Sequence, residues 1–255
     1  MALLEVKNLY KSFGGLSALV DFNMMIEEGE LVGLIGPNGA GKTTVFNLVT
    51  GVYRPDRGSI MMEGRSLVGR KPHDICRTGI ARTFQNIRLF GGLSVIDNVR
   101  ISFHKDVPYS LPAAVLRLPV FIRGEGWMDK KASEYLELLG LLEKKDELAK
   151  NLPYGDQRRL EIARALATNP KLLILDEPAA GMNPQETQEL MKLILSLRDE
   201  FKLTILLIEH DMSLVMGLCE RILVLDYGRT IAEGRPEEIK NNPRVIEAYL
   251  GEEVV

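Results

Sequence analysis

Residues Gly36 to Thr43 read GPNGAGKT, which has the form G-x-x-x-x-G-K-[ST]. Glycines at those positions let the backbone close around oxyanions without Cβ clashes. The amides of Gly39, Ala40, Gly41, Lys42 and Thr43 are then available as inward donors. Lys42 has the length and charge to reach the β- and γ-phosphates of a nucleoside triphosphate, and the Thr43 hydroxyl can ligate Mg²⁺. Further on, LLILDEP sets Asp176 and Glu177 at the end of an apolar run. Asp176 can hold the metal or one of its waters, and Glu177 can orient and deprotonate an attacking water. The plainer alternative is that the two acids cap the following turn. His210 ends a second apolar run, TILLIEHD, in a position parallel to that of Asp176. There it can contact the γ-phosphate and sense its loss, although a lone histidine is often structural. Gln85, in ARTFQNIRLF, carries no chemistry alone, but it stands where the sequence changes character, as a nucleotide-sensing hinge would. A second anion site is suggested by NLPYGDQRRLEIARALA, Asn151 to Ala167, read as a glycine-containing turn into a basic helix.

The elements that must position these groups follow from the apolar periodicity. LEVKNLYKSFGG and SALVDFNMMI alternate as antiparallel strands around Gly14-Gly15. LVGLIG is a buried parallel strand before the phosphate loop, and Lys42 to Thr50 is a helix ending at Gly51. YRPDRGSIMMEG is a turn and another antiparallel strand. From Asn86 to Arg159 the chain is rich in Leu, Ala, Lys and Glu and reads as helices broken by Pro108, Pro112 and Pro119, with DKKASEYLELLGLLEKKDELAK the clearest of them. Near Ile162 the pattern returns to α/β, with the strands KLLILD and LTILLIEHD, a hairpin RILVLDYGRTIAEG and a polar helical tail. Alternating strands and helices imply a mostly parallel sheet. The expected organisation is a single domain over 1–255. Residues 1–85 and 160–255 form the α/β core with its antiparallel β subdomain, and 86–159 form an inserted helical subdomain. The apolar stretch Leu111 to Trp127 is broken by Arg117, Arg123 and two prolines. Packing within the helical lobe accounts for it most simply, and a docking surface for a membrane partner is the alternative.

Bulk properties narrow the class. A formal net charge of −3 over 255 residues argues against electrostatic nucleic-acid binding. Cys76 and Cys219 are isolated thiols without metal spacing, expected to stay reduced. Glu5 and Lys7 come too early for a signal peptide, and no apolar run reaches the ~18 residues of a membrane span. A cytosolic protein is expected, with any membrane link made through a partner.

Together these residues resemble the nucleotide-binding subunit of an ABC transporter over nearly the whole chain. Gly36, Pro37, Asn38, Gly39, Ala40, Gly41, Lys42, Thr43 and the adjoining Thr44 match the Walker A loop, and Leu172–Asp176 matches the Walker B strand. Glu177 matches the catalytic glutamate, Gln85 the Q-loop, and His210 the switch histidine. The resemblance implies a P-loop NTPase core, ATP and Mg²⁺ as ligands, and Thr43, Gln85 and Asp176 around the metal. It makes Glu177, His210, Gln85 and Lys42 catalytic. It implies that Phe13 stacks on adenine; alone, Phe13 reads as a strand core residue. The opening of the basic helix matches the signature motif, which implies contact in trans from Tyr154, Gly155, Asp156 and Gln157 to a second subunit's γ-phosphate. Two departures stand out. The loop is Leu152-Pro153-Tyr154-Gly155-Asp156 instead of Leu-Ser-Gly-Gly-Gln, and Asn183 replaces the commoner aspartate of the D-loop.

YGDQRRLEIARALATNPKLLILDEPAAGMNP, with the long helical insertion, is similar to the ATP-binding subunits of branched-chain amino acid importers. That likeness implies a second ATPase subunit, identical or related, and two membrane permease subunits. It also implies an extracytoplasmic solute-binding protein and a place on the cytoplasmic face of the inner membrane. The rival readings are a soluble ABC ATPase of translation or DNA repair, and an ATP-binding subunit with weak turnover.

Overall fold

In the computed structural model, residues 2–107 and 109–250 are described, so Met1, Pro108 and the last five residues lie outside them. Two units emerge, one of residues 1–82 with 171–255 and the other of residues 83–170.

The first unit begins with the alternating stretches. β1 (Ala2–Phe13) and β2 (Leu16–Glu27) form a hairpin, pairing Phe13 with Leu16. β3 (Leu31–Ile35) is buried at every residue, as a strand covered on both faces must be. It runs through the phosphate loop into α1 (Lys42–Val49), and β4 (Arg57–Met62), β5 (Arg65–Ser66), α2 (Pro72–Arg77) and β6 (Ile80–Arg82) follow. β1 pairs with β4 and β4 with β5, both antiparallel, which gives a four-stranded sheet in the order β2-β1-β4-β5.

The second unit is helical: α3 (Val95–Arg100), α4 (Leu111–Val115), α5 (Pro119–Leu138) and α6 (Tyr154–Leu166). The long helix starts ten residues earlier than the pattern from Asp129 suggests, because Pro119 fits the first helical turn, where no N–H is needed. Its end falls just before Gly140 at φ 70, and short 3₁₀ turns replace the expected continuation. α6 runs unbroken from Tyr154 to Leu166, so the unit closes at Pro170 and not near residue 160. Expected burial of Leu111 to Trp127 is not found. Ala113 and Gly124 turn inward, while Leu111, Val115, Leu116 and Ile122 are exposed. The two prolines and the left-handed Arg117 (φ 47) limit α4 to five residues, too short to bury both of its faces.

The chain then returns to the first unit through β7 (Leu172–Asp176), α7 (Pro184–Phe201), β8 (Thr204–Ile208), α8 (Met212–Leu218), β9 (Arg221–Asp226) and β10 (Arg229–Gly234). Two short helices, α9 (Pro236–Lys240) and α10 (Pro243–Leu250), end the described chain. The six-stranded sheet has the order β10-β9-β3-β8-β7-β6, parallel except for the antiparallel edge pair β9–β10. Leu34, Phe46, Ile174, Leu206 and Leu223 belong to one apolar core against the antiparallel layer. Each such buried side chain is worth about 1.5–3 kcal/mol.

Candidate functional site

β3, β8 and β7 are neighbours, and their carboxyl ends are level: Leu34 pairs with Ile208, and Ile208 with Asp176. Three loops with candidate chemistry therefore leave one edge of one sheet, where ligands of open α/β folds bind. After β3, two glycines are required by shape. Gly36 has φ 147, and a Cβ there would lie 2.0 Å from the Leu225 carbonyl oxygen. Gly41 has φ 107, and its Cβ would lie 2.6 Å from the Ala18 carbonyl. The loop ends as the N-terminus of α1, whose amides and dipole favour an anion. Lys42, 8% exposed, curls back over the loop and donates to the carbonyls of Gly36 at 2.5 Å and Pro37 at 2.8 Å. Ala40 is buried, Thr44 is half-buried, and Asn38, Gly39 and Thr43 face solvent. Beside the loop is a cavity of about 660 Å³, lined in part by Leu16, Asn38, Gly39 and Tyr227. Phe13 lies opposite Leu16 in the β1–β2 hairpin, 42% exposed, edge-on to Tyr53 at 5.1 Å. It is an accessible ring and not a core residue.

At the end of β7, Asp176 is buried and accepts from Arg82 Nη2 at 2.7 Å. Arg82, the last residue of β6, also donates to Asn47 Oδ1 at 2.7 Å and lies over the Phe46 ring at 5.4 Å. One guanidinium thus joins the carboxylate to the helix behind the phosphate loop. Glu177 adopts φ 46, a left-handed backbone that non-glycine residues rarely hold, and such strain gathers at functional positions. Its N–H donates to Ile208 O at 2.9 Å, and its Oε2 lies 3.7 Å from His210 Nδ1. Glu209, 1% exposed, fixes the connecting backbone by accepting from the N–H of Ala179 at 2.9 Å and of His210 at 3.2 Å. Burial pushes the Glu209 carboxyl above its ordinary range, and those amides pull it back only in part. The next acid, Asp211, caps α8 through Ser213 and Leu214, which holds its carboxyl low. Asn183 caps α7, accepting from Gln185 and Glu186 at 3.0 Å each.

The remaining candidates belong to the helical unit. The carbonyls of Phe84 and Gln85 accept from Arg158 at 2.6 and 2.9 Å. Arg158 is fully buried in α6 and pairs with Glu161 at 2.7 Å. Glu161 in turn accepts from the N–H of Phe84 at 3.3 Å and of Arg88 at 3.2 Å. Burial raises the Glu161 carboxyl against the pull of Arg158. The Gln85 backbone is therefore clamped to α6. Gly155 is in the first turn of that helix, not in a turn before it, because Pro153 is the N-cap. The Asp156 carboxylate accepts from Lys144 at 2.5 Å, and the Gln157 amide donates to Leu152 O at 2.8 Å.

Four residues of this apparatus escape sequence reading: Arg82, Glu209, Arg158 and Glu161. The i,i+3 spacing of Arg158 and Glu161 is a signal, but it reads as an ordinary exposed helix pair. Arg82 and Glu209 are charges at the ends of apolar runs, a signal shared with Asp176.

The residues suit a magnesium nucleotide. The loop offers amides, a cation and a helix terminus to phosphates. Near it, the Thr43 hydroxyl and Asp176 carboxylate are the hard oxygen donors that Mg²⁺ prefers. Among the described residues no cluster of three or more His, Cys, Asp or Glu could cage a metal. No helix among the described residues is long and apolar enough to cross a membrane.

The ABC transporter family model matches residues 19–180, and a model described as branched-chain amino acid ATP-binding cassette transporter matches residues 229–255. The chain is 51% identical over 250 residues to the high-affinity branched-chain amino acid transport ATP-binding protein LivG of Salmonella typhimurium, covering 98% of both. It is 47% identical to the corresponding protein BraF of Pseudomonas aeruginosa, again covering 98% of both. The ADP conformation of an ATP-binding cassette of an ABC transporter superposes with a TM-score of 0.85 at 32% identity, covering 98% of this chain and 99% of that one. A family match over more than half the chain, a likeness to LivG end to end and a shared cassette fold agree: the chain belongs to the ABC transporter family, among its ATP-binding subunits.

Proposed function

We propose that this chain binds and hydrolyses ATP to drive an importer of branched-chain amino acids, from the cytoplasmic face of the membrane. The observation that carries the ATPase reading is the level ending of β3, β8 and β7, which sets the phosphate loop beside Asp176-Glu177 and His210. The substrate reading is supported by the transport role named for LivG and BraF.

The amides of Gly39 to Thr43 and Lys42 bind the phosphates, and Phe13 offers its accessible ring to the adenine. Thr43 and Asp176 would hold Mg²⁺, with Gln85 added only by the family resemblance, and the ion would neutralise charge developing on the phosphate oxygens. Glu177 orients the attacking water and takes its proton, and His210 faces the γ-phosphate beside it. Positioning and charge stabilisation supply most of the rate in such transfers. The start of α6 serves a second subunit's nucleotide. Since Asp156 and Gln157 use their side chains within their own unit, the backbone N–H groups of Tyr154 and Gly155 carry this contact. Two ATPase subunits close on ATP and open after hydrolysis, driven only by the difference in ATP affinity between the two states. The other partners are two permease subunits and, through them, an extracytoplasmic binding protein.

The test is reconstitution with the permease and binding protein in vesicles. ATP-dependent uptake of labelled leucine that ends on Lys42→Ala is expected. Stimulated ATP hydrolysis with no uptake of leucine, isoleucine or valine would sink the substrate reading and leave the ATPase reading standing.

A further inference from the structure

The α4–α5 corner of the helical unit is held firmly on one side and bare on the other. Ala113, Gly124 and Met128 are buried. The Tyr109 ring packs edge-on to Phe121 at 5.1 Å, and a Cβ at Gly124 would meet it at 2.7 Å. The opposite side presents Leu111 (82% exposed), Val115 (75%), Leu116 (69%), Ile122 (61%) and Leu118 (43%), and Trp127 (41%) lies at its border, edge-on to the buried Phe103 at 5.4 Å. Large aliphatic side chains at such exposure, together in one segment, mark an interaction surface.

Charge says what covers it. Between Asp106 and Glu125 the only charged residues are Arg117 and Arg123. The next carboxylate along the chain, Glu125, is already paired: it accepts from Arg100 at 2.5 Å and from the Tyr109 hydroxyl. Asp129 is also paired with Arg100, at 3.0 Å. The face is thus aliphatic, edged by two guanidiniums and bounded by the protein's single tryptophan. Aliphatic residues with flanking cations and an amphipathic aromatic suit the boundary between acyl chains and anionic headgroups. No helix among the described residues is long and apolar enough to cross a bilayer.

We propose that the Leu111–Trp127 corner inserts shallowly into an anionic lipid surface. The contact is made by this chain directly, in addition to any made through permease subunits.

The test uses the full chain without nucleotide and protein-free vesicles, so failure of the ATPase reading would not affect it. One set is phosphatidylcholine; the other contains about one quarter phosphatidylglycerol. The protein is expected to co-sediment with the anionic set, less so at high salt, with Trp127 emission shifting to the blue. Arg117→Gln and Arg123→Gln should each weaken binding about fivefold. Leu116→Asn and Ile122→Asn, exposed and so tolerated by the fold, should each weaken it about tenfold. Equal binding to both vesicle sets, an unmoved Trp127 emission, or variants that bind like the parent would overturn the proposal. So would attachment seen only when permease is present, which would assign the face to a protein partner.

Discussion

The two units hold their functional groups by different means. In the α/β unit the groups are loop amides and side chains that follow strand ends, and the parallel ladder fixes where those ends fall: Leu34 beside Ile208 beside Asp176. In the helical unit the backbone that carries them is fixed by buried charge. The carbonyl of Gln85 and the start of α6 are placed by a buried ion pair, Arg158 with Glu161. A ladder is built from many small hydrogen bonds, so no single side chain controls it. A clamp made of two buried charges fails when one is removed. Removal of Lys42 or Glu177 should therefore cost chemistry, and removal of Arg158 stability.

The largest expected effect tests that contrast. Arg158→Ala leaves Glu161 buried without its partner, at a cost of about 3–5 kcal/mol. Hydrogen exchange should quicken across residues 83–170 and much less across β3, β7 and β8. Equal loss of protection in both units would break the distinction. Lys42→Ala is the counterpart. ATP affinity should fall about 100-fold, because a charged partner of the phosphates is gone, while the fold loses at most about 1 kcal/mol. Isothermal titration and thermal melting read the two quantities separately. Asn183→Ala removes the α7 N-cap and its reciprocal bond with Glu186, and should cost about 1 kcal/mol in denaturant unfolding. An unchanged midpoint would show that the cap is made equally well by water.

The smallest effect concerns pH. Burial holds the Glu209 carboxyl above its ordinary range. Stability from that group is fully present below the unfolded value, about 4.3, and is lost as pH rises through the higher folded value. Glu209→Gln cannot titrate, so its stability relative to the parent should increase from pH 4 upward, as chemical denaturation across a pH series would show. A relative stability that fell with pH would contradict the direction of the shift.

How much of this was legible in the sequence divides the same way. GPNGAGKT, LLILDEP and TILLIEHD are local patterns, and in each the chemical residue follows the strand that places it. The strands, the loop and the acids can all be read without knowing the partner strands. Arg158 carries no such pattern. Its importance comes from Phe84 and Gln85, more than seventy residues away in the chain, and from a burial that a basic helix does not announce. Glycine usually signals a turn, which would put Gly155 ahead of the helix, yet Pro153 is the N-cap and the helix starts at Tyr154. Leu111 to Trp127 misleads in the opposite direction. Its aliphatic composition reads as core, and only the short α4 and the Arg117 turn show that one face has nothing to pack on.

The central claim is that Glu177 acts on water at a nucleotide held by the loop after β3. Its most direct test is Glu177→Gln, comparing equilibrium ATP binding with single-turnover hydrolysis in Mg²⁺. Unchanged binding with hydrolysis slowed about 10²–10⁴-fold is the expected result. Hydrolysis at the parent rate, with binding intact, would remove Glu177 from the chemistry and contradict the site as assigned.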